Sequence, residues 1–162
     1  MAYGLITHVA IAVPDLIRAE AFYTRLFDTA VSFRQAEIDD EWYTLPTNTD
    51  WQAAIEHGIA PEMSFIARDD FFLALTATKD DSVEHNPSYH IGLEVDEDEF
   101  GRLFDRAQET GCTIRHQGQD DGVHYGLIED IFGVEWDVTV SWSTEESATP
   151  TGPWLTLSGT DD

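Results

Sequence analysis

The chain has 162 residues, 42% hydrophobic and 12% aromatic, which suffices for one domain with a sizeable core or for two small units sharing one. Its 32 acidic residues against 8 basic ones give a formal net charge of −24, and such a surface repels nucleic acid and anionic membranes, since both need Lys or Arg to displace counterions. No apolar run approaches the ~20 residues of a membrane span, Met1-Ala2-Tyr3-Gly4 lacks the basic region of a signal peptide, and the lone Cys112 excludes an intrachain disulfide, so a cytoplasmic protein is expected.

The first strand is read over residues 5–13, where Val9, Ile11 and Val13 make one apolar parity and His8 opens the other. A helix follows over 15–27, with Leu16, Ala19, Tyr23, Leu26 and Phe27 at helical spacing and Asp15 at its start, where an acid favours the helix dipole. Residues 30–38 make a second strand. From Asp39 to Pro61 the pattern lapses, with a short helix predicted through Trp51-Gln52-Ala53-Ala54-Ile55 and ended by Gly58 and Pro61. This segment reads as an insertion over one end of the unit; Trp42, Tyr43 and Trp51 either line whatever it covers or pack down a surface excursion. Met63 to Ala67 and Phe71 to Thr78 then form a hairpin across Arg68-Asp69-Asp70, closing a first β-α-β-β-β unit over residues 1–78.

Residues 79–88 are polar, carry Asn86-Pro87 and read as a linker. The second unit, 89–141, gives a strand at 89–95, a helix at 97–110 stopped by Gly111, and strands at 112–117, 123–129 and 134–141, with turns at Gly118 to Gly122 and at Asp130-Ile131-Phe132-Gly133. The tail 142–162 is rich in Ser, Thr, Pro and Gly and looks irregular, with Trp154, Leu155 and Leu157 available to dock. His8-Val9-Ala10-Ile11-Ala12-Val13 and His90-Ile91-Gly92-Leu93-Glu94-Val95 share one pattern, so the chain reads as two copies of one unit, with His8 and His90 at matching positions off the apolar parity.

The acids are spread along the chain and Lys79 is the only lysine. That habit resembles proteins of extreme halophiles, whose surface repulsion is screened within ~3 Å at 1 M salt.

Paired units with a histidine heading each first strand, Asp15-Leu16 opening the first helix, Phe22-Tyr23 within it, and Asp130-x-Phe132-Gly133-Val134-x-Trp136 before the last strand together resemble the vicinal oxygen chelate superfamily. This group includes glyoxalase I, extradiol dioxygenases and the bleomycin and fosfomycin resistance proteins. The resemblance covers about residues 5–141 and implies an α+β fold in which two four-stranded, curved mixed sheets form a cup around a divalent metal. It places the first-strand ligands on His8 and His90, and the count from Gly133 puts the carboxylate ligand on Asp137.

Parity adds to this reading, since Val134, Trp136 and Val138 suit a core face while Glu135, Asp137 and Thr139 share the other. Two carboxylates on one cup face are costly without a proton, a donor or a metal. Glu135 is thus an alternative ligand, or a base beside the metal. The fourth ligand position of glyoxalase I falls on Ala74, leaving two histidines and one carboxylate, which suits Fe(II) oxygenases. In extradiol enzymes a histidine and a tyrosine act near the metal; here His116 and Tyr125 stand at a similar spacing before Glu135 and are candidate catalytic groups.

The resulting expectation is an enzyme binding a small-molecule substrate with two adjacent oxygens at a divalent ion, Fe(II) or Mn(II), with Zn or Ni as alternatives. Dioxygenase-like chemistry leads; a glyoxalase-type lyase or isomerase is the alternative, and a metal-free, bleomycin-resistance-like binding protein is the rival from another class. A homodimer is compatible with this family. Ser-His-Asp chemistry has no nucleophile motif here, and Cys112 has no electropositive neighbour. His57, His85 and His124 show no partner pattern and read as surface or loop residues.

Overall fold

The computed structural model describes residues 8–46, 48–78, 90–120 and 123–140. The expected linker with His85, and the tail with Trp154, Leu155 and Leu157, lie outside the described residues. Those described form β1 (Val9–Val13), α1 (Leu16–Leu26), β2 (Ala30–Ile38), β3 (Glu41–Thr44), α2 (Trp51–Glu56), β4 (Met63–Arg68) and β5 (Phe71–Ala77) of the first unit. The second unit follows as β6 (His90–Val95), α3 (Glu97–Thr110), β7 (Thr113–Asp120), β8 (Val123–Glu129) and β9 (Glu135–Val140).

Each unit folds into one mixed sheet, ordered β1-β5-β4-β2-β3 in the first and β6-β9-β8-β7 in the second. In both, the opening strand pairs in parallel with the closing one, β1 with β5 and β6 with β9, while the remaining pairs are antiparallel. The two units thus share one topology, as the repeat predicts.

The helices start and stop where the local chemistry dictates. Asp15 and Asp96 cap α1 and α3 by accepting from the amides of Arg18 and Glu99, at 2.9 and 2.7 Å, which satisfies donors that a helix start leaves orphaned. Gly111, at φ 87°, ends α3 in the left-handed region that a Cβ disfavours. The buried stripe of α1 (Leu16, Ala19, Phe22, Tyr23, Leu26) covers its sheet's convex face, where Ile11, Val13, Ile66, Leu73 and Leu75 are buried. On α3, Phe100, Leu103, Phe104 and Ala107 cover Ile128, Trp136 and Val138 in the same way.

The extent of the strands differs from expectation. The first sheet has five strands, because residues 41–44 of the insertion pair with Gln35–Ile38 as an extra edge strand. Of the two readings for Trp51 the packed one holds: it is 2% exposed, and its Nε1 donates to Ser64 Oγ at 2.7 Å. Ser64 in turn donates to Glu20 Oε2 at 2.7 Å, and Glu20 takes a two-pronged bond from Arg34 at 2.9 and 2.6 Å. The insertion is therefore pinned beside α1, away from the concave face, while Trp42 and Tyr43 stay exposed on the edge strand. Strand β7 also runs to Asp120, past the expected end at residue 117.

Candidate functional site

Register fixes which side chains share the concave face of the second sheet. His90 stands opposite Glu135, Gly92 opposite Asp137 and Glu94 opposite Thr139 across the β6–β9 pair. Across β8–β9, Glu129 faces Glu135, Leu127 faces Asp137 and Tyr125 faces Thr139, and across β7–β8 His116 faces Leu127 and Gly118 faces Tyr125. Facing pairs point to the same side of a sheet. Five of the sequence-predicted residues, His90, Glu135, Asp137, His116 and Tyr125, are thus gathered on one face, while Ile128, Trp136 and Val138 bury the other.

Within that face two contacts are close. His90 Nε2 lies 3.9 Å from Asp137 Oδ2, and both side chains are about half exposed, at 60% and 47%. The rings of His116 and Tyr125 are 5.3 Å apart at 30°. Gly118 makes that approach feasible: a Cβ there would fall 3.0 Å from the Tyr125 hydroxyl and 3.2 Å from His116 Nε2.

Sequence reasoning did not find Arg115 and Glu129. The register shifts between Ile114 and His116, and a bulge of this kind re-aims one side chain. Arg115 thereby reaches the concave face, donating through Nε and a terminal nitrogen to Glu129 Oε2. Its cation offsets the like charges of Glu129 and Glu135, which face each other across β8–β9. A bulge leaves no mark in a parity pattern read from sequence alone.

His8 stands on the first sheet, edge-on to Phe65 and Phe72 at 5.7 and 6.1 Å between ring centres. It borders a groove of about 180 Å3 whose far wall is Ile91, Gly92 and Leu93 of β6 and Trp136 of β9. Among the described residues no three His, Cys, Asp or Glu side chains gather as a metal site. The donor set fits a divalent ion in two positions of three: ligands at about 2.0–2.2 Å from one ion sit roughly 3 Å apart, which small rotations of the half-exposed His90 and Asp137 side chains reach. His8 does not join them within one chain.

Other features carry less chemistry. A larger cavity, about 260 Å3, opens at the seam between the units beside Phe27, Arg68, Phe71 and Glu99, and none of the predicted site residues lines it. Burial pushes the Cys112 thiol above its ordinary range, the reverse of what a nucleophile needs. His124 is a strand residue and not a loop one: it pairs with Glu97 and stacks on Phe100 at 5.5 Å.

Comparison with known proteins agrees with this architecture. No curated protein matches the sequence. Among solved structures, the fosfomycin resistance protein FosX from Mesorhizobium loti shares 16% identity over 90% of this chain and 98% of its own, with a TM-score of 0.58. A variant of FosX from Listeria monocytogenes, complexed with Mn(II) and 1S,2S-dihydroxypropylphosphonic acid, shares 14% identity over 88% of this chain and 96% of its own, at 0.61. Lactoylglutathione lyase from Agrobacterium tumefaciens shares 18% identity over 87% and 96%, at 0.54. At such identities these likenesses speak to the fold. The sequence itself matches the family model of the Glyoxalase/Bleomycin resistance protein/Dioxygenase superfamily over residues 5–138, nearly the whole of the two-unit body, and the chain belongs to that superfamily.

Proposed function

We propose that this chain is a metal-dependent enzyme acting on a small molecule with two adjacent oxygens, with dioxygenase-like chemistry and Fe(II) or Mn(II) as the ion. The observation that carries the reading is the 3.9 Å approach of His90 and Asp137 on a face shared with Glu135, His116 and Tyr125. The Mn(II) bound by the FosX variant supports a divalent ion in this fold. When bound, the ion supplies Lewis acidity to the substrate oxygens. His90 and Asp137 hold it; the paired rings of His116 and Tyr125 take and return a proton at the substrate hydroxyls. Glu135, opposite His90, serves as a proton acceptor, the role that a lyase or isomerase of the glyoxalase kind would also use.

A third donor is needed, and His8 does not reach the other two within one chain. The reading therefore takes a homodimer in which His8 of one copy meets His90 and Asp137 of the other. Protein purified without chelator should carry close to one transition metal per chain. His8→Ala or His90→Ala should each abolish this, Asp137→Asn should weaken binding at least ~10-fold, and Glu135→Gln should keep metal and lose turnover. Subunit exchange between His8→Ala and His90→Ala proteins should restore one metal per mixed dimer, because one of its two sites regains both histidines. Native protein with far less than stoichiometric metal would overturn the enzyme reading in favour of a metal-free binding protein. No recovery of metal on mixing would place all donors in one chain.

A further inference from the structure

The cavity of about 260 Å3 at the seam between the units lies on the helix side of the sheets, since Phe27 at the end of α1 and Leu103 of α3 line it. Its floor is apolar. Phe27 and Leu103 are buried, Phe71 and Leu93 pack against the same core, and the Phe27 and Phe71 rings meet at 4.9 Å and 44°.

The rest of the wall is charged, and unevenly. Asp69, Asp70, Glu94, Asp96 and Glu99 line the cavity against one cation, Arg68. That cation is already engaged: it donates to the Phe27 carbonyl at 3.3 Å, to Asp28 at 3.2 Å and to Glu99 at 3.3 Å. A cleft with low-dielectric walls and one sign of charge in excess focuses its field on a counter-ion. Among the described residues, however, no three His, Cys, Asp or Glu side chains gather as a metal site, and an apolar floor offers a hydrated ion nothing.

Thr29, in the same wall, has a different need. Its hydroxyl is buried and has no hydrogen-bond partner among the described residues, which is costly for a polar group. Ala30 pairs with Ala67 across β2–β4, so Thr29 stands beside Arg68 and the Asp69-Asp70 turn. A threonine χ1 has staggered alternatives, and a donor seated in the cavity would give the hydroxyl its missing partner.

We infer that this cavity binds a primary ammonium ion carrying an apolar chain, with the chain on Phe27, Phe71 and Leu103 and the ammonium among Thr29, Asp69 and Asp70. An ammonium presents three donors and no acceptor, which matches a wall of carboxylates and one unmet hydroxyl. Neither His90 nor Asp137 takes part, so the site stands or falls apart from the metal reading.

Calorimetric titration of the full chain at low salt with hexylammonium, 1-hexanol and hexanoate tests this, since the three share a chain and differ in the head. Hexylammonium should bind at least ~10-fold more tightly than 1-hexanol, the worth of a hydrogen bond to a charged group, and hexanoate more weakly than either. Thr29→Val should remove that ~10-fold advantage and leave 1-hexanol unchanged. The double variant Asp69→Asn, Asp70→Asn alters an exposed turn, whose left-handed position at Asp69 (φ 51°) asparagine also tolerates. It should cut hexylammonium affinity about 3-fold at low salt and have no effect at 1 M KCl, where the Debye length is about 3 Å. Asp137→Asn should change none of these affinities. Equal binding of the ammonium and the alcohol would overturn the inference, as would either cavity variant binding hexylammonium like the native chain. Loss of hexylammonium binding in Asp137→Asn would overturn it too, by placing the amine on the concave face.

Discussion

Asp130 accepts four hydrogen bonds through one buried carboxylate. The amides of Phe132 and Val134 donate to Oδ1 at 2.8 and 3.1 Å, and Tyr23 Oη and Trp136 Nε1 donate to Oδ2 at 2.7 and 2.9 Å. The first pair shapes the β8–β9 turn; of the second, Tyr23 ties that turn to α1, 107 residues away in sequence, and Trp136 ties it to β9. The Asp-x-Phe-Gly-Val-x-Trp stretch is thus a latch between the units, with Phe132 packed against Phe22 and Tyr23. Hydrogen bonds to a charged group contribute about 1.5–3 kcal/mol each, and a buried donor left unmet costs as much again. Tyr23→Phe should therefore destabilise the fold by about 1.5–3 kcal/mol. Asp130→Asn, which turns an amide N–H toward Tyr23 and Trp136, should cost more. Denaturant melts of the two variants would check this, and equal stability to the native chain would reject the latch. The stretch was visible in the sequence as a family signature, but its partner was not, because nothing local to residue 130 points to residue 23.

Helix α3 is joined to the first unit by a cluster of opposite charge. Glu99 receives Arg68 from the end of β4 at 3.3 Å, together with Arg102 and Arg106 from its own helix, and Arg106 Nε also donates to the Leu26 carbonyl at the end of α1 at 2.8 Å. Burial works to raise the Glu99 pKa, but the hydrogen bonds and charges of Arg106 and Arg68 outweigh it and hold the carboxyl below its ordinary value of 4.5. A carboxyl depressed in the fold contributes stability that is present above the unfolded value and lost as pH falls through the folded one. Melting temperature should consequently drop as pH is lowered below about 4.5, and the drop should be shallower in Glu99→Gln. Parallel acid profiles would exclude Glu99 as a source of acid sensitivity. At this scale the sequence spoke unevenly. Both unit helices, and β1, β8 and β9 among the strands, were legible because each buries one stripe or one parity. The extra strand β3 was not, since all four of its residues are exposed and a polar edge strand has no apolar period to read. The role of Trp51 was equally hidden, because it depends on Ser64, Glu20 and Arg34 meeting from three other elements.

Over the whole molecule, the scarce cations are spent on contacts that hold elements together. Six of the seven arginines pair with carboxylates, joining α1 to α3 through Arg25 and Glu109, β2 to α1 through Arg34 and Glu20, and β7 to β8 through Arg115 and Glu129; the seventh, Arg18, lies over the Phe132 ring at 5.8 Å. The 32 acids outnumber the 8 basic residues fourfold, and the excess carboxylates repel one another across the folded surface more than in the expanded chain. Added salt acts on both sets of interactions but not equally. The Debye length shrinks from about 30 Å at 0.01 M to about 3 Å at 1 M, which removes long-range repulsion while sparing the close, partly buried Arg34–Glu20 and Arg106–Glu99 pairs. Stability should therefore rise with KCl. For a chain of this length, about 2 kcal/mol of relieved repulsion corresponds to roughly 4–8 °C in melting temperature. An isosmotic series in sucrose separates screening from solvent exclusion, which sucrose also produces. A rise in KCl beyond that in sucrose assigns the effect to charge, whereas equal curves, or none, would mean that the acidic surface does not govern the stability of this fold.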